Sequence, residues 1–198
     1  FNWDFCLGDL DSLPTVTAAP QAGSVSYPQN MKIVEENGNY YGFIANAGFN
    51  YVTRYDFGNS PANTPVAVTL TGDALLSQFQ SGIDVVKEGN KWLIFVTLFS
   101  SNNLVRLEMD SITQITPIFV NLGVSGLSNP NSIKLIEGFG FVANNQSADI
   151  VRLDFGGNYL NTPTVLSPSI STLAFNNFGI DVAYDCVSGN YTGFTTSY

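Results

Sequence analysis

The sequence predicts an all-β fold, a β-propeller of four-stranded antiparallel blades, on three observations. Apolar runs of strand length alternate with Gly, Asn and Ser turns along the whole chain. A four-strand unit recurs about every 50 residues, the spacing of propeller blades. The two chain ends match complementary halves of that unit, so four blades closed by pairing of N- and C-terminal strands is the expected architecture.

The stretch 83–120 displays the unit most clearly. Ile83-Asp84-Val85-Val86 is a first strand, and Glu88-Gly89-Asn90-Lys91 is a hairpin turn. The run 91–99 is the second strand, Ser100-Ser101-Asn102-Asn103 the next loop, and Leu104–Met109 the third strand. Pro117-Ile118-Phe119-Val120 is the fourth, with Pro placed where an outer strand has hydrogen-bonding positions to spare. First-strand copies begin at Met31, Ile83, Ile133 and Ile180, at spacings of 52, 50 and 47 residues. Second-strand copies are Tyr41–Asn46, Leu93–Val96, Gly140–Asn144 and Thr192–Thr195. Third-strand copies are Val52–Phe57, Leu104–Met109 and Ile150–Phe155, and a Thr-Pro step at 64–65, 116–117 and 162–163 leads to each fourth strand.

Residues 1–19, with Trp3-Asp4-Phe5 and Leu13-Pro14-Thr15-Val16-Thr17, match only third and fourth strands, whereas 179–198 match only first and second. The chain therefore divides into a shared blade (1–27 and 177–198) and three whole blades, 28–79, 80–128 and 129–176. The competing account is a piece of a longer ring, because the chain begins at Phe1 without an initiator Met and reads as a processed or excised product. Cys186 aligns with Gly89 and Cys6 with Gly58, at the same end of the shared blade and about two strand spacings of 4.8 Å apart. Loop residues can close that gap to the 4.4–6.8 Å between Cα atoms that a disulfide needs. A Cys6–Cys186 disulfide is the expectation, and two idle thiols are the alternative.

Charged residues make up only 12% of the chain, and Asn, Thr, Ser and Gly take their place at the surface. Seven Lys and Arg against 16 Asp and Glu cannot build a phosphate-tracking face, so no nucleic acid is expected, nor attraction to an anionic membrane surface. No apolar run approaches the roughly 20 residues of a membrane-spanning helix, so membrane insertion is not expected. Few lysines, many Asn and Thr, and the Cys pair suggest an exported, extracellular protein.

The wording GIDVVKEGNKW (82–92) followed by VRLDFGGNYLNTPTV (151–165) resembles the propeller repeats of large surface proteins of gliding Bacteroidota, and is more distantly similar to NHL-type repeats. The resemblance covers nearly the whole chain. It implies a secreted or cell-surface propeller used in adhesion or assembly, exported by the type IX system and associated with gliding motility. The C-terminal sorting domain typical of those proteins is not present in these 198 residues.

Chemistry-bearing patterns are few. No His occurs, which removes His-based triads and most zinc sites, and no phosphate loop or CxxC is present. The acids Asp4, Asp56, Glu108 and Asp154 share one repeated third-strand position, which marks them as architectural, not as a convergent catalytic pair. Arg54, Arg106 and Arg152 also recur, each expected to pair with an acid of its own or the next blade. The second residue of each first strand reads Lys32, Asp84, Lys134, Asp181, an alternation that would form an ion-pair ring near the axis and repel a bound cation. Phe49, Tyr51 and Phe99 fall between second and third strands, where exposed rings could grip a protein or glycan or pack between blades. The expected function is a non-enzymatic interaction module that binds protein or glycan at the cell surface, with no metal and no cofactor. One alternative is a structural subunit of a surface filament or secretion or gliding assembly, with copies of itself or modules of a longer chain as partners. A cation-dependent propeller hydrolase or lyase is the other.

Overall fold

A computed structural model describes residues 24–147, 149–170 and 177–197. Within them the chain is all-β, apart from one 3-10 turn at Ala74–Leu76. The first sheet holds β1 (Pro28–Glu36), β2 (Asn39–Asn46), β3 (Thr53–Gly58) and β4 (Val66–Thr69), in that spatial order. The second holds β5 (Gln80–Glu88), β6 (Lys91–Leu98), β7 (Asn103–Met109) and β8 (Ile118–Asn121). The third holds β9 (Pro130–Ile136), β10 (Phe139–Asn144), β11 (Ile150–Asp154) and β12 (Thr164–Ile170). β13 (Asn177–Asp185) and β14 (Asn190–Ser197) pair as a two-stranded fourth sheet. All neighbours run antiparallel. Residues 1–23, on which the outer strands of the shared blade, Asp4 and Cys6 were placed, lie outside the described residues.

Local chemistry accounts for the hairpins. The β1–β2 turn is Asn37-Gly38, both at positive φ (53° and 77°), which is the two-residue turn whose twist matches paired strands. The β9–β10 turn has the same shape with Glu137 and Gly138 at 48° and 79°. The sheets then need each other, because each carries apolar residues on both faces. Phe43, Ala45 and Val52 of the first sheet pack against Ile83, Val85 and Ile94 of the second. Leu93, Phe95 and Leu104 on the second sheet's other face pack against Ile133, Leu135 and Val142 of the third. Complete burial of a ring such as Phe43 or Phe95 contributes about 1.5–3 kcal/mol.

The third interface is thinner, built from Phe141, Ile150 and Val182 with Ile180 and Tyr191 at its margin. First strands lie side by side, β1 against β5, β5 against β9 and β9 against β13. The approach of β5 to β9 is close enough that a methyl on Gly82 would sit 2.7 Å from Ser132 Cα.

One arginine stitches the first sheet to the second and another the second to the third. Arg54 pairs with Asp56 two residues on, at 2.5 Å, and Nη1 donates to the carbonyls of Ile112 and Gln114 at 2.7 and 3.3 Å. Arg106 repeats the pattern with Glu108 at 2.7 Å and the carbonyls of Tyr159 and Asn161 at 2.8 and 3.0 Å. Arg152 departs from the expected pairing. Its guanidinium lies 4.5 Å from the Phe139 ring centroid, its Nε is buried without a hydrogen-bond partner among the described residues, and Asp154 accepts from Gly156 N instead.

Candidate functional site

First strands begin and second strands end at one end of the sheets, where Pro28 faces Asn46, Gln80 faces Leu98 and Pro130 faces Asn144. Aromatic side chains gather at this loop end of the first two sheets. Phe49 and Tyr51 stack with centroids 4.5 Å apart and planes 20° from parallel, and Phe79 lies 5.6 Å from Phe99. Phe49, Tyr51 and Phe99 are half-buried in these pairings. The open rings are Tyr27, 77% exposed, and Phe79, 40% exposed.

Both sit immediately before a first strand with positive φ, 47° for Tyr27 and 45° for Phe79. Asn129, the third residue of this series, has φ 48°, so the left-handed conformation belongs to the repeat. The carbonyl there accepts a backbone bond from the end of the second strand in each case, from Ala47 N, Phe99 N and Asn145 N at 3.0–3.1 Å. Asn tolerates this conformation, whereas a bulky side chain pays roughly 1–2 kcal/mol for it. Two large rings thus occupy strained positions that a small polar residue fills more cheaply.

A buried amide holds the loop beneath them. Gln80 Nε2 donates to the Phe49 and Tyr51 carbonyls at 2.9 and 3.3 Å, and its Oε1 accepts from Asn46 N at 3.2 Å. Asn46 is itself fully buried and donates to Tyr51 O and Thr53 Oγ1, and Asn144 holds the equivalent place in the third sheet. Sequence reasoning missed Gln80, Tyr27 and Phe79. The available signal was an amide at the start of β5, where the other two sheets have Pro28 and Pro130.

Further along the first strands are the alternating charges. Lys32 Nζ lies 2.9 Å from Asp84 Oδ1, and Lys134 Nζ lies 2.6 Å from Asp181 Oδ1. Between the second and third sheets Asp84 reaches a backbone amide, Leu135 N at 2.7 Å, and does not pair with Lys134. The Lys134 hydrogen bond holds the Asp181 carboxyl below its ordinary value, and the charge of Lys32 acts in the same direction from the far side. Both central carboxylates are therefore matched by ammonium groups. Among the described residues no group of three or more His, Cys, Asp or Glu is placed to hold a metal. Cys186 is exposed in the β13–β14 turn without a cysteine partner among the described residues, and Cys6 lies outside them.

No protein-family model and no curated protein matches the chain. Solved structures do. A functionally unknown protein from Desulfotomaculum acetoxidans superposes with a TM-score of 0.53 at 16% identity, over 86% of this chain and 56% of that one. This chain thus spans little more than half of that protein. The alpha-L-arabinofuranosidase from Podospora anserina, solved in complex with cellotriose, superposes with a TM-score of 0.56 at 10% identity. That match covers 92% of this chain and 67% of the enzyme. At such identities the likeness is one of fold.

Proposed function

We propose that the chain is a non-enzymatic, secreted or cell-surface interaction module that holds a protein or glycan against the aromatic loop end. One observation carries the reading: Tyr27 and Phe79 are exposed rings kept in a left-handed conformation that the equivalent Asn129 adopts at lower cost. Aromatic rings beside backbone and amide groups suit sugar faces and protein hot spots alike. The paired central charges support a binding role over hydrolysis, because Asp84 and Asp181 are both engaged by lysines. Export through the type IX route in a gliding bacterium follows from the sequence resemblance and belongs to the same proposal.

The architecture that goes with it is a four-bladed propeller, its fourth blade completed by residues 1–27. Phe194 of β14 is 71% exposed, whereas its counterparts Phe43, Phe95 and Phe141 are buried between sheets. Met31 and Ile33 on the first sheet, 47% and 40% exposed, offer the matching surface.

The test is Tyr27→Asn in the full chain. Binding to a glycan array or to outer-surface extracts of a gliding bacterium should fall at least 10-fold, while stability rises by about 1 kcal/mol as the backbone strain is relieved. A variant that binds normally would remove the aromatic end from consideration. A second reading, a structural subunit that joins copies of itself, is favoured by the exposed Met31, Ile33 and Phe194, and concentration-dependent sedimentation of the wild-type chain decides it.

A further inference from the structure

At the loop end, the seam between the second and third sheets holds Phe79, Phe99, Asn102 and Asn129. Phe99 lies 5.6 Å from Phe79 with the ring planes at 51°, and Phe99 N donates to Phe79 O at 3.0 Å, so the exposed Phe79 ring has a fixed backing. Two amides flank the rings, and the backbone settles which way each one faces. Asn129 N donates to Asn102 Oδ1 at 2.7 Å; a backbone N–H only donates, so the Asn102 atom that meets it is the oxygen. Asn129 Nδ2 donates at 3.2 Å to the Phe99 carbonyl, which only accepts. What each amide has left for a ligand is therefore fixed. Asn102, an exposed side chain, offers the Nδ2 donors, and half-buried Asn129 offers the Oδ1 acceptor.

Charge selects the occupant. All seven Lys and Arg of the chain lie within the described residues, and none is at the loop end. Arg54, Arg106 and Arg152 stand in register with Phe43, Phe95 and Phe141 in the middle of their sheets. Lys32 and Lys134 extend the same row onto the first strands, and Lys87 and Lys91 flank the β5–β6 turn at the opposite end. An anionic ligand, whether a uronate, a sulfated sugar or a phosphate backbone, finds no counter-charge at the loop end. We infer that this seam is a subsite for one pyranose ring of a neutral, β-linked glucose-type glycan. The inference rests on the loop-end reading and narrows its partner from protein or glycan to one class. With every ring substituent equatorial, such a sugar presents only C–H bonds above and below, whose positive ends suit the negative face of the Phe79 ring. Its neighbouring hydroxyls each donate and accept, so one accepts from Asn102 Nδ2 and the next donates to Asn129 Oδ1. A protein hot spot is instead walled in by further contacts over about 800 Å² per partner.

Titration of the full chain, followed by amide NMR shifts, with cellotetraose and with tetragalacturonate of equal length tests this. Cellotetraose should bind with a Kd of about 1 mM or tighter, and tetragalacturonate at least roughly 10-fold more weakly. Phe79→Asn installs the residue that Asn129 carries in the same left-handed conformation, so the fold is kept and affinity should fall about 10-fold or more. Asn102→Asp keeps the oxygen that receives Asn129 N and turns the remaining donor into an acceptor. Its affinity should fall about 5-fold or more while the melting midpoint stays within about 2 °C. Equal binding of tetragalacturonate, no cellotetraose binding at about 10 mM, or full affinity in either variant overturns the inference. If Tyr27→Asn abolishes capture of a surface protein that cellotetraose does not displace, the loop-end reading stands and the glycan subsite falls. If neither sugar nor protein binds and Tyr27→Asn changes nothing, both fall together.

Discussion

Asp84 is 2% exposed and uses both of its oxygens, accepting from Lys32 Nζ, from its neighbour Val85 N at 2.9 Å and from Leu135 N across the sheet boundary. A carboxylate so enclosed is stable only because its partners are fixed around it. The peripheral acids are held more loosely. Glu36 accepts from Lys87 Nζ at 2.7 Å and Trp92 Nε1 at 2.9 Å, and these bonds, the lysine's first, outweigh burial and keep its carboxyl below its ordinary 4.5. Asp181 is held below 3.8 chiefly by the hydrogen bond from Lys134. A carboxyl depressed by folding adds stability above its unfolded pKa and loses it as pH falls through the folded one. Unfolding titrations between pH 7 and 2 should therefore show an acid limb starting near pH 4.5. Because Asp181 is 75% exposed in its side chain, solvent screening limits the two pairs together to about 1 kcal/mol. The double variant Glu36→Gln/Asp181→Asn should flatten that limb, and an unchanged acid slope would assign it to other carboxylates.

At the scale of elements, the first strands pack edge to edge through small residues. Ser81 Oγ donates to Pro130 O at 2.6 Å across the boundary, while within the second sheet Gly82 N donates to Thr97 Oγ1 at 2.7 Å. A β-carbon at Gly82 meets backbone at Ser132 and cannot be relieved by a rotamer change. Gly82→Ala should cost about 1–3 kcal/mol in denaturant unfolding with an unchanged m-value, whereas Gly89→Asn, in an open turn at φ 58°, should cost far less. The all-β class and the four-strand units were legible from the sequence because strand, turn and Pro signals recur in phase, as at Gly89-Asn90 and Thr116-Pro117. The alternating charges were legible for the same reason, as one position read in successive copies. The aromatic platform was not, because its strain resides in backbone torsions at Tyr27 and Phe79 that residue type alone argues against. Nor was the odd behaviour of Arg152, whose sequence context is nearly that of Arg106 while its surroundings are not.

For the molecule as a whole, the fourth sheet decides how the chain behaves in solution. A free strand edge exposes backbone groups to any passing chain, so a completed sheet is the arrangement compatible with a stable monomer. Native-state hydrogen exchange on the full chain should show the β14 amides that point away from β13 protected about 100-fold or more, comparable to those of β10. Rapid exchange there would leave the ring open. The pairs Lys32–Asp84 and Lys134–Asp181 carry a consequence for how such a chain can grow. The first and third sheets bring a lysine, the second and fourth an aspartate, so neighbouring sheets attract while next-nearest ones carry like charge. Copying a single sheet would set two equal charges against each other at the new boundary. Duplicating two adjacent sheets keeps every boundary attractive, so the pair is the smallest module by which this architecture can be lengthened or shortened, in descent or by design.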